Sequence, residues 1–242
     1  LSDLAAAYAD PICLFLNLGL PPWISEETVE ALYAGLEKAL LFYGCELGGG
    51  NISGADQLSL DLFAVGQARA ATLPQRSMAK PGFGLYVTGP LGLARAGLNA
   101  LLTGQREFPF LIQRFKAPKA RFDAARILEE FNVPCVMDLS DGLAGDARHI
   151  AKASGLSIEL GMEARFLHPD LTAFCRFDAD QAMDMALSGG EDYELLFACP
   201  PETFNKVQTR LPEAYPVGKC LDFTGVFILN PPATLSFQHG KK

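Results

Sequence analysis

Val133-Pro134-Cys135-Val136-Met137-Asp138-Leu139-Ser140-Asp141-Gly142-Leu143-Ala144-Gly145-Asp146-Ala147-Arg148-His149-Ile150-Ala151 is the stretch on which the fold turns. Its apolar start has the length and composition of a buried strand, predicted over 134–139. Its second half places Leu143, Ala147, Ile150 and Ala151 on one face of a helix predicted over 142–153. Asp138, Ser140 and Asp141 then sit at a strand end facing a helix start. Ser140 and Asp141 can cap that helix. Asp138 and Asp141, three apart across a turn, can also hold one or two divalent cations through oxygen. The same spacing is ordinary turn chemistry, and these residues alone leave both readings open.

Working outward, strands and helices alternate along the whole chain. Towards the N-terminus the pattern gives a helix end over 2–9, stopped by Pro11, and a dense apolar strand over 12–20. Ser25 then opens a helix with Glu26 and Glu27 in its first turn. Val29, Leu32, Tyr33, Leu36, Ala39, Leu40 and Tyr43 form its apolar stripe, and Gly44 stops it. Residues 57–68 alternate with period two, which predicts a strand. The Pro- and Gly-bearing stretch from Leu73 to Gly84 reads as a linker. It divides the chain into domains 1–72 and 73–242.

Beyond the linker the reading gives strand 84–88, helices 93–103 and 119–131, strand 156–161, helix 180–187, strand 193–199 and helix 201–211. Short strands follow near 215–220, 225–230 and 233–237. The fold class is α/β (α+β) in two layered domains, which excludes a helical bundle and an all-β sandwich.

Composition narrows the function. The 242 residues are 49% hydrophobic and 20% charged, with 20 Lys+Arg against 28 Asp+Glu and a net charge of −8. That is ordinary for a globular protein with a real core. An acidic chain is not built for broad electrostatic contact with nucleic acid or an anionic membrane. It can still bind phosphates through metals held by carboxylates. Ile12–Trp23, the longest apolar run, is broken by Asn17 and by Pro21-Pro22 and cannot span a bilayer as a helix. The six cysteines form no C-x-x-C pair and read as buried thiols in a reducing cytoplasm. The chain opens on Leu1 and runs at once into a helical pattern, as if its beginning were missing.

Three further stretches could carry chemistry. Ser188-Gly189-Gly190-Glu191-Asp192-Tyr193-Glu194-Leu195 combines a double glycine, which permits close approach, with acids leading into a strand. Leu47-Gly48-Gly49-Gly50-Asn51-Ile52-Ser53 offers backbone N–H groups to a phosphate, or is a surface loop. Thr88-Gly89-Pro90-Leu91-Gly92 closes a strand and opens a helix, whose N-terminus can hold an anion. It is neither a Walker A loop nor a dinucleotide fingerprint.

In this order, Leu-Ser-Asp3-Leu-Ala-Ala, Gly49-Gly50-Asn51, Arg76-Ser-Met-Ala-Lys-Pro-Gly82, Thr88-Gly89, Asp138-Leu-Ser-Asp141-Gly and Ser188-Gly-Gly-Glu-Asp-Tyr-Glu-Leu195 resemble the thiamine-monophosphate kinase family over nearly the whole chain. The last segment is the one most particular to that family. Aminoimidazole ribonucleotide synthetase, selenophosphate synthetase and the hydrogenase maturation dehydratase share the layout without it. The resemblance implies a two-domain aminoimidazole ribonucleotide synthetase-like fold with an incomplete N-terminal domain. It implies homodimers formed through the N-terminal sheets, and transfer of the γ-phosphoryl group of ATP to thiamine monophosphate. It implies several Mg2+ ions, with Asp3, Asn51, Asp138 and Asp141 as ligands and Asp138 and Asp141 as the catalytic pair. Gly50, Asn51, Arg76 and Ser140 correspond to nucleotide contacts, and Glu191 and Phe237 to substrate contacts. The acceptor phosphate is itself the nucleophile, so no catalytic histidine is expected. His149 reads as a structural or surface residue.

The chain departs from the family at Asn51, Ile52-Ser53, Phe83, Leu93 and Gln238, where relatives carry Asp-Thr-Thr, Asp, Asp and Asp. An amide oxygen at Asn51 brings no charge, so one metal is expected to bind more weakly. The family's upstream Gly-Asp-Asp and Ser-Thr-Asp motifs do not occur in this sequence, and the stretch by itself is expected to turn over little. Two other readings stand beside a kinase. One is another ATP-using member of the superfamily, disfavoured by the Glu191 segment. The other is a non-catalytic homologue that binds nucleotide or thiamine phosphate.

Overall fold

The computed structural model describes residues 1–69 and 71–232. They form two compact units. Residues 9–71 make up the first, together with Leu1, and residues 2–8 and 72 onward the second. The short helix α1 (Ser2–Ala6) therefore belongs by its contacts to the second unit.

The first unit is a β-α-β crossover plus one strand. It runs β1 (Ala9–Leu20), α2 (Glu26–Tyr43), β2 (Glu46–Gly54) and β3 (Ser59–Ala68), in sheet order β2-β1-β3. β2 lies parallel to β1 and β3 antiparallel to it. α2 is capped as its sequence predicts. The Ser25 side chain accepts the Thr28 N–H, and Gly44 closes the helix at φ 63°. Leu14 and Leu16 of β1 pack under Leu40, with Tyr33, Leu36 and Tyr43 around them.

β2 is a correction to the sequence reading. The glycine run is a strand, not a loop, and pairs with β1 up to Leu20. Glycine has poor strand propensity, which hid the element. Here it is needed for space. A Cβ on Gly50 would lie 1.8 Å from the Leu16 carbonyl oxygen, and one on Gly48 would lie 2.9 Å from the Phe15 ring. β3 matches the predicted strand, but its alternation does not produce one buried face. Leu60, Leu62, Phe63 and Val65 are all exposed.

The second unit is built on a six-stranded sheet. In chain order its elements after α1 are β4 (Gly84–Val87), α3 (Leu93–Leu102), α4 (Pro109–Lys116), α5 (Phe122–Glu130), β5 (Cys135–Asp138), α6 (Leu143–Ser154) and β6 (Ser157–Leu160). Then come α7 (Pro169–Phe174), α8 (Ala179–Ser188), β7 (Leu195–Cys199), α9 (Pro201–Arg210), β8 (Tyr215–Leu221) and β9 (Ile228–Leu229). The sheet order is β5-β7-β4-β8-β6-β9, antiparallel except for the parallel β6–β9 pair. Every residue of β7 is buried, and its Leu-Leu-Phe-Ala-Cys run suits a strand covered on both faces. Leu85, Val87, Leu196, Ala198 and Val217 of the sheet share one core with Leu143, Ala147, Ile150 and Ala151 of α6. Each such leucine or isoleucine contributes roughly 1.5–3 kcal/mol by leaving water.

Two helices escape the sequence reading. α4 and α7 are short and begin at prolines, which marks a helix start only when the turn behind it is recognised. The expected strand near 233–237 lies outside the described residues. Cys135, Cys199 and Cys220 are buried free thiols, as composition suggested. Among the described residues no helix is long and apolar enough to cross a membrane.

Candidate active site

The predicted strand–turn–helix forms as read. β5 ends at Asp138, and α6 begins at Leu143. The cap differs from expectation. The N-cap is Gly142, at φ 103°, a residue with no side chain to cap the helix. The buried Asp146 folds back instead. One oxygen of its carboxylate accepts the N–H groups of Ser140 and Asp141, both at 3.1 Å. This holds the turn from inside, through its backbone. Burial first, then the charge of Asp141, pushes the Asp146 carboxyl up to about 7.

α1 lies against β5 and brings a second acid. The Tyr8 hydroxyl, just past α1, donates to the Val133 carbonyl oxygen at 2.9 Å and fixes the helix beside the strand. Asp3, Asp138 and Arg76 thereby line one cleft of about 250 Å³, with Gln75 and Met137 on its wall. Arg76 is held by its backbone, whose carbonyl accepts the Ser154 hydroxyl at 2.8 Å. Burial, and next the Asp3 charge, raise the Asp138 carboxyl above its ordinary range, while the nearby Ser2 hydroxyl acts in the opposite direction. Carboxylates forced together in a half-buried cleft suit a divalent cation, which supplies the missing positive charge. Asp141 stands with Asp146 and His149, their ligand atoms within 4.8 Å of one another.

The double-glycine segment is laced to this turn by its backbone. Glu191 N–H donates to Ser140 O and Tyr193 N–H to Leu139 O, both at 2.9 Å, and Leu139 N–H donates to Glu194 O at 2.8 Å. The glycines make the approach possible. A Cβ on Gly190 would lie 2.3 Å from Ser140 O, and one on Gly142 would lie 2.7 Å from Ser188 O. Glu191 and Tyr193 follow at φ 68° and 52°, unusual for side chains of that size. Glu191 is exposed next to the turn. The Tyr193 hydroxyl is pushed up to about 12 by burial, then by Glu191, with smaller contributions from Asp138 and Asp3.

Asp192 and Glu194 point into the protein. The Asp192 carboxylate accepts Gly92 N–H at 2.6 Å and Ala94 N–H at 3.0 Å. The N-terminus of α3, read from the sequence as an anion site, is thus filled by the chain's own acid. Glu194 accepts the Thr88 hydroxyl at 2.8 Å and Arg114 at 2.9 Å, and pairs with Arg121. A Cβ on Gly89 would lie 2.7 Å from the Glu194 carboxylate, so that glycine also serves packing.

Of the sequence-predicted site residues, Asp3, Asp138 and Arg76 share a cleft. Ser140, Asp141 and Glu191 meet in the laced turn that follows Asp138. Gly50 and Asn51 lie in β2 of the first unit. Phe237 lies outside the described residues. Sequence reasoning missed Tyr193, Asp146, and the inward roles of Asp192 and Glu194. Of the three acids in Glu191–Glu194 two are internal, and their partners are too distant in the chain for a local signal to have marked them.

Comparisons with known proteins agree with this layout. The N-terminal domain family of AIR synthase related proteins matches residues 1–68, and the C-terminal domain family matches residues 80–226. A thiamine-monophosphate kinase of Aquifex aeolicus is 36% identical over 94% of this chain and 73% of its own length. That of Salmonella typhimurium is 40% identical over 83% of this chain and 62% of its own. The chain thus spans about three fifths to three quarters of the length of these relatives. The solved structure of AaThiL complexed with AMPPCP and TMP superposes with a TM-score of 0.87 at 34% identity, covering 98% of this chain and 76% of that one. By fold, by both domain matches and by these identities, the chain belongs to the thiamine-monophosphate kinase family of AIR synthase related proteins.

Proposed function

We propose that this protein transfers the γ-phosphoryl group of ATP directly, in line, to thiamine monophosphate, giving thiamine diphosphate. The observation that carries the reading is the convergence of Asp3, Asp138 and Arg76 on one cleft, with the Glu191 segment laced to the turn that follows. Relatives of this name, and one solved with an ATP analogue and TMP, support it.

Both reactants are polyanions, and bringing their phosphates together requires neutralisation. Asp3, Asp138 and Asp141, with the amide oxygen of Asn51, are the residues that would hold Mg2+, and the bound ions would supply that neutralisation. Arg76, Ser140, Gly50 and Asn51 would contact the nucleotide. Glu191 would orient the acceptor, whose thiazolium carries a positive charge. No protein base is needed, because the acceptor phosphate is already ionised. The exposed apolar side chains of β3 support a homodimer through the first unit. The buried free thiols support an enzyme of the reducing cytoplasm.

The test is ATP consumption by the product of the complete gene, with thiamine monophosphate or formylglycinamidine ribonucleotide as acceptor. Consumption with the first alone, giving thiamine diphosphate, is expected. Consumption with the second alone would move the protein elsewhere in the superfamily. Tight binding without transfer would favour a non-catalytic homologue.

A further inference from the structure

We infer that Asp192 and Glu194 are positioning residues for the acceptor, which act by holding Glu191 and Tyr193 in their left-handed conformation against the Ser140–Asp141 turn. The inference rests on the reading of Glu191 as an acceptor contact.

Four consecutive side chains alternate in surroundings. Glu191 is exposed, Asp192 buried, Tyr193 half-buried and Glu194 buried. The two at positive φ are those facing outward, and each would relax towards ordinary extended backbone if released. The two inward acids prevent this. Asp192 uses both carboxylate oxygens, one for Gly92 N–H and one for Ala94 N–H, which ties the loop to the start of α3. Glu194 is tied to Thr88, Arg114 and Arg121, two of them charged donors. Arg121 also donates to the Thr88 carbonyl at 3.1 Å and pairs with Glu213 at 3.0 Å, so its end of the clamp is itself braced. On the other side the backbone bonds to Leu139 and Ser140 complete the grip. The loop is therefore clamped from both sides, and Glu191 is presented by a backbone that cannot follow its own preference.

The experiment is calorimetric titration at about pH 8, where Asp192 is ionised, of the complete gene product with thiamine monophosphate and, separately, with AMPPCP and Mg2+. Asp192→Asn puts an amide NH2 against a backbone N–H donor. It should weaken thiamine monophosphate about 5–20-fold and leave AMPPCP within about twofold. In a Glu191→Ala background the same substitution should add less than about twofold, because the residue it positions is gone. If Asp192→Asn does not fold, Thr88→Val carries the same prediction with a loss of about 2–5-fold, since it removes one donor to Glu194. Unchanged thiamine monophosphate binding would overturn the inference. So would an equal loss for AMPPCP, or a loss undiminished without Glu191. If the unsubstituted protein does not bind thiamine monophosphate, the functional reading itself fails and takes the inference with it. If it binds and the variants bind as well, the positioning role alone fails.

Discussion

Gly190 sits so close to Ser140 that a single added carbon would reach within 2.3 Å of the Ser140 carbonyl oxygen. The contact joins the two motifs that carry the site, and its partner is backbone that cannot swing aside. Gly190→Ala should therefore push the loops apart. We expect a loss of about 1–3 kcal/mol in stability, the usual cost of overpacking, together with weaker acceptor binding. Urea melts with thiamine monophosphate titration check this. A variant of unchanged stability and affinity would show that the loops tolerate separation.

Stability should also fall with rising pH. Burial pushes the Asp192 carboxyl from its ordinary 3.8 up to about 7, against the opposing pull of the Ala94 and Gly92 N–H groups. Between those values the folded chain keeps a proton that the unfolded chain has released. The stabilisation is therefore full below about pH 4 and is lost as pH rises through about 7, a change on the order of 4 kcal/mol. Asp146, also near 7, adds a change of the same sign. Urea midpoints from pH 4 to 8 should slope downward, less steeply in Asp192→Asn. Equal slopes would remove Asp192 as a contributor.

The first unit leaves Leu62 53% and Phe63 59% exposed on neighbouring positions of β3, which point to opposite faces of the sheet. Bare apolar strands of this kind call for a partner. Sedimentation should find a dimer, and the double substitution Leu62→Glu, Phe63→Glu should convert it to monomer. A monomeric parent, or a dimer that survives both charges, would contradict the proposed assembly.

What the sequence revealed and what it hid follow from the range of the interactions involved. α2 was legible because its signals are local: Ser25 and Gly44 cap it, and one apolar stripe fills it. The β5–turn–α6 unit was legible for the same reason, and with it Asp138 and Asp141. β2 was not, because its glycines serve contacts with Phe15 and Leu16 across the sheet and look like a loop in isolation. The same holds for Asp192 and Glu194, whose partners lie 73 to 106 positions away. Nothing near them in the chain says that they face inward. The placement of Asp3 depends on Tyr8 reaching Val133, 125 residues on. The residues of the cleft were readable as types, but their meeting is a property of the fold.

As proposed above, Asp3, Asp138 and Asp141 recruit divalent cations to bring two phosphorylated molecules together. The most direct test is the Mg2+ dependence of thiamine diphosphate formation by the complete gene product and by its Asp138→Asn variant. Product should form only when Mg2+ is present, with a rate at least about 100-fold lower in the variant, as expected on removing a metal-bound carboxylate. A variant that keeps the parent's rate and the parent's Mg2+ dependence would contradict it.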